Sequence, residues 1–569
     1  MRAMIRLAPL AIAALVLAPP LTAQEPAADG GLAGALLAGR AAVGSNDFAA
    51  QVEYYSRANM LAPEDPFFLD RLLVAHLALG DVDAAVPVAR DLLAAGVQSE
   101  IASLTLQADA FVQGDYAAVV AAEPPLADTG ALTDALAPAW AAIGAGSMSD
   151  AISRFEAAAE APQLRVLAQY HRALALAMVG DFESAHDILS GGDGQPIGMG
   201  RRGMLARIQV LAQLDRLDEA RALADSAFSQ DAEPDIRALR AALADGAAPP
   251  FDLVTSPAQG MAEVYFVLAS LLGSDDGEQL PLIYARLAAH LNPDHHDAIL
   301  MAGRLLEALE QFELADATYA QIPPDAAFFL GAQLGRGQAL FEKGDVDGAI
   351  EALRALAEEV PDEVLVHSTL GDLLRRDERF AEAARAYGRA IDLLPEAEAR
   401  HWVLFFTRGI ALERDDRFDE AEAYFRRALD LNPDQPSVLN YLGYSLVEER
   451  RDLDEALDMI ERAVEGDPDS GYITDSLGWA LYRLGRYDEA LPVMERAVEL
   501  LPSDPIINDH LGDVYWMVGR EREARFQWRR ALSFAPHPDL EVDRIRHKLE
   551  VGLDVVLEEE EAEAQAAAE

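Results

Sequence analysis

The sequence predicts an all-α chain: a solenoid of helix–turn–helix repeats, about fourteen of them, in two arrays. Three observations carry this. From Gly478 the chain meets Ala490, Ala497 and Pro502, and the same order at offsets of 12, 19 and 24 recurs from Gly371, Gly409 and Gly512. Gly443, Gly478 and Gly512 mark a period of about 34 residues, the length of one stacked helix pair. Within each period, two apolar segments at helical spacing are parted by a turn and closed by a proline.

Residues 471–504 show the logic of one repeat. Ile473 to Leu484 is apolar at helical spacing, and Gly485-Arg486 interrupts it. Gly485 supplies the positive φ of a turn between antiparallel helices. Tyr487 to Leu501 is the second helix, and Pro502 cannot continue it. Gly478 and Ala490 fall where the two helices cross closely, Ala497 where the next repeat stacks, and Leu477, Leu481, Tyr487 and Val498 fill the remaining core.

The same register gives repeats at 505–538, 471–504, 436–470, 402–435, 364–397, 330–363, 296–329 and 262–295. The 436 repeat carries one extra residue in its turn, Glu449-Arg450-Arg451-Asp452. The earliest of this array are degenerate, with Pro281 and Ile322 at alanine positions. A weaker array over 32–234 keeps the period through Gly39, Ala58, Gly80, Ala85, Gly146, Ala151, Ala173, Ala185, Ala220 and Ala227, and is poorest over 100–131. Asp245-Gly246, Pro249-Pro250 and Ser256-Pro257 mark 235–261 as a linker between the arrays. Val542, Ile545, Leu549 and Val556 predict a capping helix over 539–557, and Glu558 to Glu569 an acidic, frayed tail.

The segments resemble tetratricopeptide repeats. Glycine in the first helix, two alanines in the second, a closing proline and the turn Gly-Arg-Tyr-Asp-Glu-Ala at 485–490 are that family's signature, repeated in register. The resemblance implies a right-handed superhelix whose first helices line a concave groove. Carried onto this chain, it assigns the groove to Asn440, Tyr444, Tyr472, Asp475, Trp479, Tyr482, Arg483, Asp509, Asp513 and Trp516. Exposed aromatics there would anchor a peptide. Packing of Trp479 and Trp516 between repeats is the competing expectation. The carboxylate clamp of one family subset is not expected, because Phe406, Asp475 and Asp509 stand where its amide and basic residues would.

Composition narrows the function. The formal charge is −51, opposite to the basic footprint that nucleic acid or anionic lipid requires. It serves solubility, and it would favour a basic partner if it selects one. Without cysteine there are no disulfides, thiol nucleophiles or thiolate metal sites. Lys343 and Lys548 are the only lysines among 46 basic residues, which reads as coding bias rather than chemistry.

Residues 1–23 have the layout of a secretory signal: Arg2 and Arg6, an apolar core from Leu7 to Ala18, and Leu21-Thr22-Ala23 before Gln24. Export to the periplasm follows, with inner-membrane anchoring by an uncleaved signal as the alternative. No transmembrane segment is expected in the mature chain.

No catalytic or cofactor motif stands out. Gly198-Met199-Gly200-Arg201-Arg202-Gly203 matches a dinucleotide pattern but follows a repeat helix, so a flexible inter-repeat loop is expected. His295-His296 has no third ligand and reads as a solvated turn. Asn508-Asp509-His510 opens a helix and is divided between helix start and groove. The expectation is a non-enzymatic periplasmic scaffold for a protein or peptide, without cofactor or metal, resembling envelope proteins of Gram-negative bacteria and extending by analogy to envelope assembly. The alternatives are an enzyme built on the degenerate repeats or the linker, and a cytoplasmic interaction protein.

Overall fold

The computed structural model describes residues 31–569 apart from 64, 122–125, 127, 128, 192–199, 229–233, 273–276, 325, 327, 535, 536, 538, 539 and 569. The expected signal over 1–23, with its cleavage before Gln24, lies outside the described residues, as do Gly198, Met199 and Pro536. Every regular element among the described residues is helical. The chain forms two compact units, Met1–Asp345 and Val346–Glu569.

Unit 2 follows the repeat register closely. Its pairs are Val364–Arg376 with Phe380–Asp392, Trp402–Glu413 with Phe418–Leu431, Pro436–Glu448 with Leu453–Gly466, Gly471–Arg483 with Tyr487–Leu500, and Pro505–Met517 with Glu521–Ala531. The ten signature alanines from Ala383 to Ala531 are fully buried. The first-helix glycines sit under bulky partners. A Cβ on Gly371 would fall 2.7 Å from the Tyr387 ring, and one on Gly409 2.5 Å from Phe425. Real Cβ atoms do not approach so closely, so glycine sets the helix spacing. The extra residue at 449–452 is absorbed by two left-handed residues, Arg450 and Asp452.

The chain closes with helix Val542–Val551 and then helix Leu553–Ala568. The expected frayed tail is therefore corrected. Leu553 and Val556 are buried, Glu560 pairs with Arg544 and Glu559 with His547. With an alanine-rich sequence, these contacts carry the helix onward.

Unit 1 departs from the expected organisation. Six pairs run from Leu32–Gly44 to Leu217–Ala227, the third with a second helix of only five residues, Tyr116–Val120. The stretch expected as a linker then holds helix Pro234–Ala244 and leads into the hairpin Pro257–Leu271 and Gln279–Leu291. This hairpin turns back onto the preceding array. Pro257–Leu271 packs on Ala131–Gly144, Glu100–Gln113 and Arg165–Met178, and Gln279–Leu291 packs on Pro66–Leu79 and Glu100–Gln113. All are first helices of their pairs, and Gln279–Leu291 also touches the second helix Val82–Ala94.

Named contacts fix the return. The Tyr265 hydroxyl donates to the Leu104 carbonyl at 3.3 Å and to Gln107 at 3.2 Å, and Arg286 Nε donates to the Ala78 carbonyl at 3.3 Å. Further on, the Asn46 amide reaches the Leu309 carbonyl and Gln311 the Ser45 carbonyl. One hydrophobic core consequently runs from Phe48 to Ala339. The units part at Asp345–Val346, not across 235–261. The expected repeat 330–363 is divided, with Phe329–Glu342 in unit 1 and Val346–Glu359 in unit 2. Pro281 is tolerated because it lies in the first turn of Gln279–Leu291, where no helical partner for its nitrogen is needed.

Candidate functional site

The first helices of unit 2 form the face on which the ten groove residues were expected, and the structure divides them. Tyr472 is 62% exposed and Arg483 is exposed, its guanidinium 3.6 Å from Glu448. Asn440 and Tyr444 are half-buried. Trp479 is half-buried in a ring stack, 4.7 Å from Tyr482 on one side and 4.0 Å from His510 on the other, and its Nε1 donates to Glu448 at 2.9 Å. The competing expectation of packing between repeats thus describes Trp479. Tyr482 is buried.

Asp475 is also buried, paired at 3.0 Å with His510 Nδ1. Burial works against the charged imidazole, but Asp475 outweighs it and raises the His510 pKa. Beyond His510 the face is covered by the chain's own helix Val542–Val551. Lys548 Nζ lies 2.7 Å from Asp509 and 2.6 Å from Asp513, and Arg544 lies 3.5 Å from Asp513. Burial and the neighbouring Asp513 push the Asp509 carboxyl up to about 6, against the pull of Lys548. Trp516 tilts against Trp528 and lies beside Gly552. The exposed part of the face is therefore carried by Tyr472 and Arg483, with Asn440, Tyr444 and Trp479 half-buried beside them. Asn508 belongs to the helix start: its amide donates to the carbonyls of Pro502 and Asp504.

The motifs of the earlier repeats become structural. His295 is buried, not solvated: its Nδ1 accepts the Ala298 amide proton and its Nε2 is 3.2 Å from Glu263. Residues 200–203 open helix Gly200–Gln213 instead of a loop. Arg202 pairs with Glu263 and, at 2.7 Å, with Asp297, while Arg201 pairs with Asp235. Burial pushes the Glu263 carboxyl up, but Arg202 and His295 prevail and hold it down at about 2. These groups tie the returning hairpin to helix Gly200–Gln213. Sequence reasoning missed them because partners up to 96 positions apart leave no local pattern. Among the described residues no group of three or more His, Cys, Asp or Glu is placed to hold a metal ion.

Comparison with known proteins agrees with the helix-pair geometry. Tetratricopeptide repeat family models match residues 300–364, 406–471 and 475–504. The segments so matched are tetratricopeptide repeats. It is 30% identical over 200 residues to TPR repeat-containing protein PA4667 of Pseudomonas aeruginosa, a match covering 35% of this chain and 32% of that one. The matched region thus spans about a third of that relative's length. Among solved structures, the repeat chain resembles the APC/C hetero-tetramer Cut9-Hcn1 at 13% identity and TM-score 0.38, covering 91% of this chain and 96% of that one. Yeast Tom70 is matched at 15% identity and TM-score 0.34, covering 91% and 95%.

Proposed function

We propose that the chain is a non-enzymatic scaffold, exported to the periplasm, that holds a protein or peptide segment on the first-helix face of unit 2. One observation carries the choice of face. In unit 1 the equivalent face is taken by the hairpin 257–291, whereas unit 2 leaves Tyr472 and Arg483 exposed. An exposed tyrosine and arginine beside an aromatic stack are the residue types that anchor partners. The acidic balance favours a basic segment. The layout of residues 1–23 supports export, and no helix among the described residues is long and apolar enough to cross a membrane.

The test is capture from the native cell envelope with the mature protein and with a Tyr472→Ala/Arg483→Glu double variant. The variant keeps its helical signal and melting cooperativity but loses the wild-type partners, and high salt weakens what remains. A folded variant that captures the same partners equally would move the site off this face. N-terminal sequencing of the native protein tests export: a chain starting at Met1 in the cytoplasm would overturn it.

A further inference from the structure

We propose that the covered end of the unit 2 face is a reading site for a lysine side chain, held shut by the chain's own helix Val542–Val551 and opened when a lysine-bearing helical segment of a partner protein displaces it. The proposal deepens the groove reading above and rests on it.

The seat is built for an ammonium group. Lys548 is fully buried, with Asp509 and Asp513 on Nζ and the Trp528 ring 5.3 Å away. Trp528 Nε1 donates to the same Asp513 oxygen at 2.8 Å and so orients the carboxylate. Two carboxylates and an aromatic ring suit a compact cation better than a planar guanidinium. One of the chain's two lysines stands here, and Arg544 reaches only the other Asp513 oxygen, at 3.5 Å.

A helix serving only to cover the last repeat would need an apolar seam. Ile545, Leu549 and Leu553 supply one. Burying an ion triad adds a desolvation cost that an apolar residue would avoid. The occupying helix is short, ten residues. Its outer side is solvated at Asp543 and Arg546, and a left-handed Gly552 joins it to the last helix. The seat adjoins the open face through His510, which stacks on Trp479.

The experiment uses a labelled synthetic peptide of residues 540–561 titrated against three full-length proteins: wild type, Lys548→Met and Ile545→Asp. The two variants weaken the internal helix by different means, one removing the cation and the other the apolar anchor. The peptide should bind each variant at least tenfold more tightly than wild type, and a peptide carrying Lys548→Met should lose at least tenfold. Equal binding by the lysine and methionine peptides would reduce the helix to an apolar cap and overturn the proposal, as would no binding to a cooperatively melting variant. Hydrogen exchange on the wild type needs no variant. Residues 542–551 should exchange at least tenfold faster than 505–517, and equal protection would also overturn displacement. These readouts stand apart from partner capture at Tyr472 and Arg483, so either reading can fail alone.

Discussion

Substituting Gly260 by alanine separates a returning hairpin from a free second array by the sign of one stability change. Gly260 lies in the first turns of helix Pro257–Leu271. On a helix with nothing above it, Gly→Ala stabilises by about 1 kcal/mol through backbone entropy. Here the new Cβ would lie 2.5 Å from Trp140 Cε2, against an ordinary carbon contact of about 3.5–4.0 Å.

The indole cannot retreat. Trp140 is fully buried, Phe155 and His171 meet it edge-on at 5.6 and 6.0 Å, and its Nε1 donates to His171 Nδ1 at 3.3 Å. The helix must lift by about 1 Å, at the upper end of the 1–3 kcal/mol range for overpacking. Set against the helix gain, the net loss is about 2 kcal/mol. Urea unfolding followed by far-ultraviolet dichroism gives the sign, and hydrogen exchange over 257–271 locates it. Trp140→Phe in the same chain should recover part of the loss. A raised urea midpoint for Gly260→Ala would show that the hairpin does not sit on helix Ala131–Gly144.

Acid should loosen unit 1 in two steps. Burial depresses His171 from 6.5 to about 4, so its contribution is complete above pH 6.5 and is lost as pH falls through 4, about 3 kcal/mol over the window. Glu263, held at about 2 against 4.5, contributes stability present above pH 4.5 that disappears as pH falls through 2. Urea midpoints between pH 7 and about 2 check this, and His171→Gln should flatten the upper step. In unit 2, Gly443→Ala should destabilise by about 1–2 kcal/mol, because its Cβ would meet the Ala456 carbonyl at 2.9 Å. Gly478→Ala should be near neutral, because it meets chiefly the flexible Met494 side chain; equal midpoints for the two variants would contradict this. Limited proteolysis should spare helix Pro257–Leu271, and early cutting there would contradict its burial.

The helix pairs of unit 2 were legible because their signal is local. Gly478 over Met494 and Ala490 in the crossing are partners within one repeat, so spacing alone encodes them. The groove residues were legible only by position. Tyr472 and Arg483 keep the expected exposure, whereas Asp509, Asp513 and Trp516 belong to contacts with a later helix. His295 and Arg202 carried no readable role for the same reason.

By itself, the sequence determined that the chain folds as stacked helix pairs, since glycine, alanine and proline at fixed offsets act through neighbours about one turn or one helix away. The tertiary structure decided which first-helix faces stay open. Tyr265 meets Leu104 across 161 positions and Lys548 meets Asp509 across 39. Contacts of that separation follow from how the chain returns on itself, and no period in the residues records it.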